Sequence, residues 1–106
     1  MSRALVRMVQ INGLQFNANR DPQAYRRPVG TAFRIQALLA GSGEARCSLT
    51  DAAGQVLAES TEPLPGRFRS VVHFETPGSR VVTLAVTAGD LQFRQDLRLD
   101  VEPPPH

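Results

Sequence analysis

The chain has 106 residues, room for one domain and too little for an eightfold βα barrel or a full dinucleotide-binding fold. Hydrophobic residues make up 42% and charged residues 21%, a globular balance, and no stretch approaches the roughly 20 apolar residues of a membrane helix. The formal net charge is +2 and all twelve basic residues are arginine, which excludes lysine-amine chemistry.

Apolar residues recur at period two along the whole chain, and no run carries helical spacing. Near the N-terminus Arg7 interrupts the apolar run, so no secretory signal peptide is expected and the protein is placed in the cytoplasm or in an assembled particle. Residues 9–16 read as a hairpin. Asn12-Gly13 suits a two-residue type I′ turn, because both central residues need positive φ. That turn sets Ile11 against Leu14 and Val9 against Phe16, all on one face.

Residues 17–30 read as a long loop, broken by Asn17, Asn19, Asp21-Pro22, Pro28 and Gly30. Phe33, Ile35, Ala37 and Leu39 then alternate with polar positions. Gly41-Ser42-Gly43 predicts a turn. Ala45, Cys47 and Leu49 form the inner face of the next strand, and Asp51–Gly54 a second turn into a short strand, residues 55–59. Thr61–Gly66, with Pro63 and Pro65, reads as a loop. Phe68, Val72 and Phe74 share a face opposite Arg67, Arg69, Val71, His73 and Glu75. Thr76-Pro77-Gly78 turns again, Val82, Leu84 and Val86 point inward, and Ala88-Gly89-Asp90 closes a hairpin. The last strand turns Leu91, Phe93, Leu97, Leu99 and Val101 inward, with Gln95 in the same phase and charged residues outside. Seven or eight such strands predict an antiparallel β-sandwich over residues 1–102, with a small closed barrel as the alternative. Residues 103–106 are expected to form a polyproline stub.

Phe74, Thr76-Pro77-Gly78, the run Val82–Thr87, Gly89 and Val101 resemble the last three strands of bacterial immunoglobulin-like modules, most of all the polycystic-kidney-disease type. Cys47–Asp51 with Gly54 and Leu57 is similar to a strand–turn–strand of the same modules. The resemblance implies an all-β, immunoglobulin-like sandwich and no activity. The chain departs from that pattern in having no tryptophan, no cysteine pair and no tyrosine at the usual corner, where Arg80 or Val82 stands.

The candidate chemistries are few. Cys47 is the lone cysteine, so no intrachain disulfide forms. Its phase with Ala45 and Leu49 makes it a buried small hydrophobe. His73 lies on an outer strand face and His106 ends the proline tail, so neither is set beside a nucleophile. There is no Cys-x-x-Cys, no spaced His pair and no glycine-rich phosphate loop. Asn17, Asn19 and Asp21 make an oxygen-rich loop without the calcium-loop pattern. No metal, no cofactor and no intrinsic enzyme activity are therefore expected.

Binding surfaces are more legible. Residues 1–50 hold seven arginines against Asp21 and Glu44, a net of +5, and the remainder nets −3. Tyr25 beside Arg26 and Arg27 offers a loop anchor for a protein partner, or else folds over the core edge. With Arg20 and Arg34 the same loop is the best nucleic-acid patch. Ten acids offset the arginines, and one tyrosine without tryptophan argues against carbohydrate. Leu38, Val71, Val81 and Ala85 face outward and would form an apolar strip if their strands were neighbours. The partner-binding residues expected are Tyr25, Arg26, Arg27, Leu38 and Val71. The expected role is a non-catalytic binding or structural module in a larger bacterial or phage assembly, joined to a protein partner or to its own copies. The alternative is an accessory or carrier subunit of an enzyme complex.

Overall fold

A computed structural model describes residues 5–17 and 25–103. The strands are β1 (Val6–Ile11), β2 (Leu14–Gln15), β3 (Arg27–Pro28), β4 (Phe33–Asp51), β5 (Val56–Val72), β6 (Gly78–Ala88) and β7 (Leu91–Glu102). They form one sheet in the order β2-β1-β4-β6-β7-β3, and among the described residues β5 pairs with β4 alone. The protein is all-β, as expected. The sheet is mixed, because the short β3 runs parallel to β7, and it curls into a half-barrel.

Three predicted turns are present. Asn12 and Gly13 take φ of 56° and 83°, and Ile11 pairs with Leu14, the type I′ geometry that the dipeptide favours. Asp51 caps the second turn: its Oδ1 accepts the N–H groups of Ala53 at 3.0 Å and Gln55 at 2.9 Å. Ala88 pairs with Leu91 across Gly89-Asp90.

Two expected breaks are continuous strand. Gly41-Ser42-Gly43 does not reverse the chain but bends β4 in its middle. Leu39 pairs with Gly66 and Gly43 with Leu64, so β4 advances four residues while β5 advances two. Positive φ at Gly41 (117°) and Gly43 (90°) accommodates the surplus as a bulge. Thr61–Gly66 is likewise part of β5, not a loop. Its prolines are tolerated because β5 has a partner on one side only. Gly66 sits so close to the chain that an added Cβ would lie 2.2 Å from the Pro63 carbonyl oxygen.

The bend decides the architecture. Before it, β4 lies between β1 and β5; after it, between β6 and β5. The long β4–β5 hairpin therefore carries the sheet around a single core. Phe33, Ile35, Leu49, Phe68, Val82, Leu84, Leu97 and Leu99 are all buried there. Burial of each aliphatic or aromatic side chain contributes about 1.5–3 kcal/mol before conformational entropy is charged against it. Leu14 and Leu91, expected inward, are exposed, because each stands at a hairpin end beyond the reach of that core.

The segment around Tyr25 draws the two ends of the sheet together. The Tyr25 hydroxyl donates to the Gln15 carbonyl at 3.0 Å and accepts from the Asn17 N–H at 3.0 Å. Asn12 Nδ2 donates to the Tyr25 carbonyl at 3.1 Å. Two residues later Arg27 pairs with Val101, and the Val29 N–H donates to the Glu102 carbonyl at 3.0 Å. One short stretch thus bonds to both the β1–β2 hairpin and the end of β7. Asn19, Arg20, Asp21, His106 and the stub beyond Pro103 lie outside the described residues.

Candidate arginine-rich sheet face

The outer face of the first half of the hairpin is built by period two. Inward Phe33, Ile35 and Ala37 force Arg34, Gln36 and Leu38 outward on β4. Inward Phe68 and Val72 do the same to Arg67, Arg69 and Val71 on β5. On β1, inward Val9 and Ile11 leave Met8 and Gln10 outside, and exposed Arg7 sits where the β1–β4 register shifts. No carboxylate occupies any of these positions.

The registers set the spacing. Gln36 is paired with Arg69, Leu38 with Arg67, and Arg34 with Val71. Arg67 and Arg69 are therefore neighbours along one strand face, roughly 6.8 Å apart at their Cα atoms. Arg34 is diagonal to Arg69, roughly 7–8 Å away. Arg7 and Arg67 line one open groove of about 830 Å³ at the bend, with Leu38, Gly41, Ser42 and Pro65. Arg27 and Arg34 line a second of about 390 Å³, with Asn12, Thr31 and Gln36. The ion pairs among the described residues join Arg26 to Glu102, His73 to Glu75 and Arg98 to Asp100. None involves Arg7, Arg34, Arg67 or Arg69. The cationic face draws Arg7 and Arg34 from the first half of the sequence and Arg67 and Arg69 from the second, so strand pairing and not the charge difference between the halves creates it.

The expected partner-binding residues fall differently. Tyr25 is not an exposed anchor: its ring is 1% exposed and packs at 5.8 Å on Phe16. The physical reason is its hydroxyl, which reaches main-chain groups of the β2 segment and lets the ring fill the open end of the core. Arg26 is half-buried, with Nη1 3.4 Å from Glu102 Oε1. Arg27 donates from Nη1 to the Arg26 carbonyl at 2.8 Å and also lines the smaller groove. Leu38 and Val71 do share the cationic face. The apolar strip, however, does not form: Leu38 opposes Arg67, Val71 opposes Arg34, Val81 opposes Arg98 and Ala85 opposes Arg94. Each of the four is paired across the sheet with an arginine, and Val71 and Val81 stay exposed as isolated apolar side chains.

The opposite outer face is charge-balanced. Thr83 Oγ1 donates to Asp96 at 2.8 Å, and Arg98 Nε donates to Asp100 at 3.0 Å. The nucleophile candidates remain apart. Cys47 lies in the second half of β4, whereas His73 follows the end of β5, where Val72 pairs with Phe33. Burial pushes the Cys47 thiol up to about 11, and the Glu62 carboxylate adds to the shift. A thiol so shifted is protonated and unreactive at neutral pH. Among the described residues, no three His, Cys, Asp or Glu side chains are grouped to hold a metal ion.

The sequence phase had already put Arg34, Arg67 and Arg69 outside. What it could not show was that their strands are neighbours, nor that Arg7 joins them at a bulge. No protein-family model matches the chain, and no curated protein matches it.

Proposed function

We propose that this protein is a non-catalytic binding module that docks an acidic partner on the β1–β4–β5 face. The observation that carries this reading is the set of exposed arginines, Arg7, Arg34, Arg67 and Arg69, on one sheet face with no carboxylate partner among the described residues. Arginine is suited to such a face, because its planar fork meets carboxylates bidentately and holds its charge at any working pH. Among the described residues, the exposed large apolar ones are Leu14, Val56, Val71, Val81 and Leu91; none is aromatic. That favours a protein partner over single-stranded nucleic acid or carbohydrate, which are bound on aromatic platforms. Membership in a larger bacterial or phage assembly belongs to the same proposal, as does an immunoglobulin-like fold. The inward alternation of Val82, Leu84, Val86, Leu97, Leu99 and Val101 is what such a fold requires of two adjacent strands, while the parallel β3–β7 pair departs from it.

The test is binding of fluorescent poly-glutamate, followed by anisotropy against salt. The parent should bind with an affinity that falls as salt rises, and Arg34→Ala with Arg67→Ala and Arg69→Ala should weaken it at least tenfold. Unchanged far-ultraviolet dichroism would show that the triple variant is folded. Equal affinity of the folded variant and the parent would sink the reading.

A further inference from the structure

The strand that carries Arg67 and Arg69 also has a free edge. β5 pairs with β4 along one side, and no strand or loop among the described residues pairs with its other side. A free edge offers a row of N–H and C=O groups to another chain. Two features restrict where such a chain can lie. Pro63 and Pro65 lack N–H groups, and the hairpin bends at the same place, so the two halves of the edge do not form one straight template. The usable stretch is Gly66–Val72, which lies within β5 and presents Arg67, Arg69 and Val71 on the outer face.

Resting on the reading of this face as an acid-binding surface, we infer that Gly66–Val72 accepts an acidic segment of a partner protein as an added β-strand. The periods match. Alternate side chains of any extended peptide repeat at roughly 6.8 Å, the spacing of Arg67 and Arg69. Carboxylates two residues apart thus stand opposite both guanidinium groups at once, while the peptide backbone bonds to the edge. An antiparallel strand is the more stable arrangement per residue. It meets Val71, Arg69 and Arg67 in that order, which selects the pattern apolar-x-acid-x-acid, read from its N-terminus.

A second copy of this chain fits the stretch less well. A twofold antiparallel pairing centred on Arg69 sets that arginine against its own copy and Arg67 against Val71 of the copy. Like charges directly opposite are destabilising. The edge is thus cationic in a way that opposes self-pairing and suits an acidic strand.

The probe is the labelled peptide acetyl-Thr-Val-Thr-Glu-Thr-Glu-Thr-amide, read by anisotropy with the full chain. Its controls are a peptide of the same composition with adjacent glutamates, and two versions N-methylated at successive positions. The expected result is binding at least tenfold tighter than the adjacent-glutamate peptide. One N-methyl version should lose binding and its neighbour keep it, because alternate N–H groups of a strand point to opposite sides. Arg67→Glu with Arg69→Glu, checked for folding by dichroism, should abolish binding. Equal binding of both peptide orders, or equal effects of both N-methyl positions, would overturn strand addition while leaving the acid-binding face intact. Loss of poly-glutamate binding as well would overturn both. A concentration-dependent dimer that the peptide displaces would assign the edge to a second copy instead, as would tighter binding of a duplex DNA of equal charge assign the face to nucleic acid; either result overturns the inference.

Discussion

Truncating Tyr25 should strongly destabilise the protein, although the residue lies in a segment that connects strands. Its ring is 1% exposed and rests 5.8 Å from the ring of Phe16. Removing a buried aromatic ring typically costs about 3–5 kcal/mol, through lost transfer energy and the cavity left behind. The hydroxyl is separable from the ring. It donates to the Gln15 carbonyl and accepts from the Asn17 N–H, both at 3.0 Å. Tyr25→Phe keeps the packing and loses those bonds, at about 1 kcal/mol for partly solvated neutral partners. For a domain of this size about 1 kcal/mol moves the melting midpoint by roughly 4–8 °C. Urea unfolding, extrapolated linearly, should therefore rank the parent above Tyr25→Phe and Tyr25→Phe well above Tyr25→Ala. A native stability of about 5–15 kcal/mol leaves the alanine variant little margin at the lower end. If Tyr25→Ala stays within about 0.5 kcal/mol of the parent, the range of ordinary surface substitutions, the ring is not a core element and the reasoning is refuted.

Three further outcomes follow from the same core and bend. Cys47 should react with a disulfide reagent at neutral pH only as fast as the chain unfolds, and a rate equal to that of denatured protein would contradict its burial. Because its folded pKa is raised from 9.0 to about 11, by burial first and Glu62 second, the neutral thiol is favoured in the folded state. That contribution is complete below about 9 and is lost as pH rises through about 11, so the parent should lose more stability than Cys47→Ala across this window. Gly66→Ala should destabilise by about 1–3 kcal/mol, the usual range for overpacking, since its Cβ would meet the Pro63 carbonyl oxygen at 2.2 Å. An unchanged melting midpoint would show that the close approach does not exist.

The division between sequence and tertiary structure falls at the range of the interactions. Local chemistry determined the Asn12-Gly13 turn, because positive φ at both positions is a property of those two residues. It also determined which side chains of each strand face inward, because alternation needs no knowledge of the neighbouring strand. Ile35, Cys47, Phe68, Leu84 and Leu99 were placed correctly on that basis alone. Whether glycines at 41 and 43 reverse the chain or bend it was not local. The answer depended on β5 running past the bulge as a partner for both halves of β4. The same nonlocal pairing made Thr61–Gly66 a strand in spite of its prolines. Tyr25 was ambiguous for a related reason: its burial rests on bonds to Gln15 and Asn17, which the linear pattern does not express. The cationic face needed both levels. Phase alone turned Arg34, Arg67 and Arg69 outward, but only the pairing of β1 and β5 on either side of β4 made them neighbours. Charges cluster in space through strand order, and strand order is set by the burial of a common core rather than by any residue taken singly.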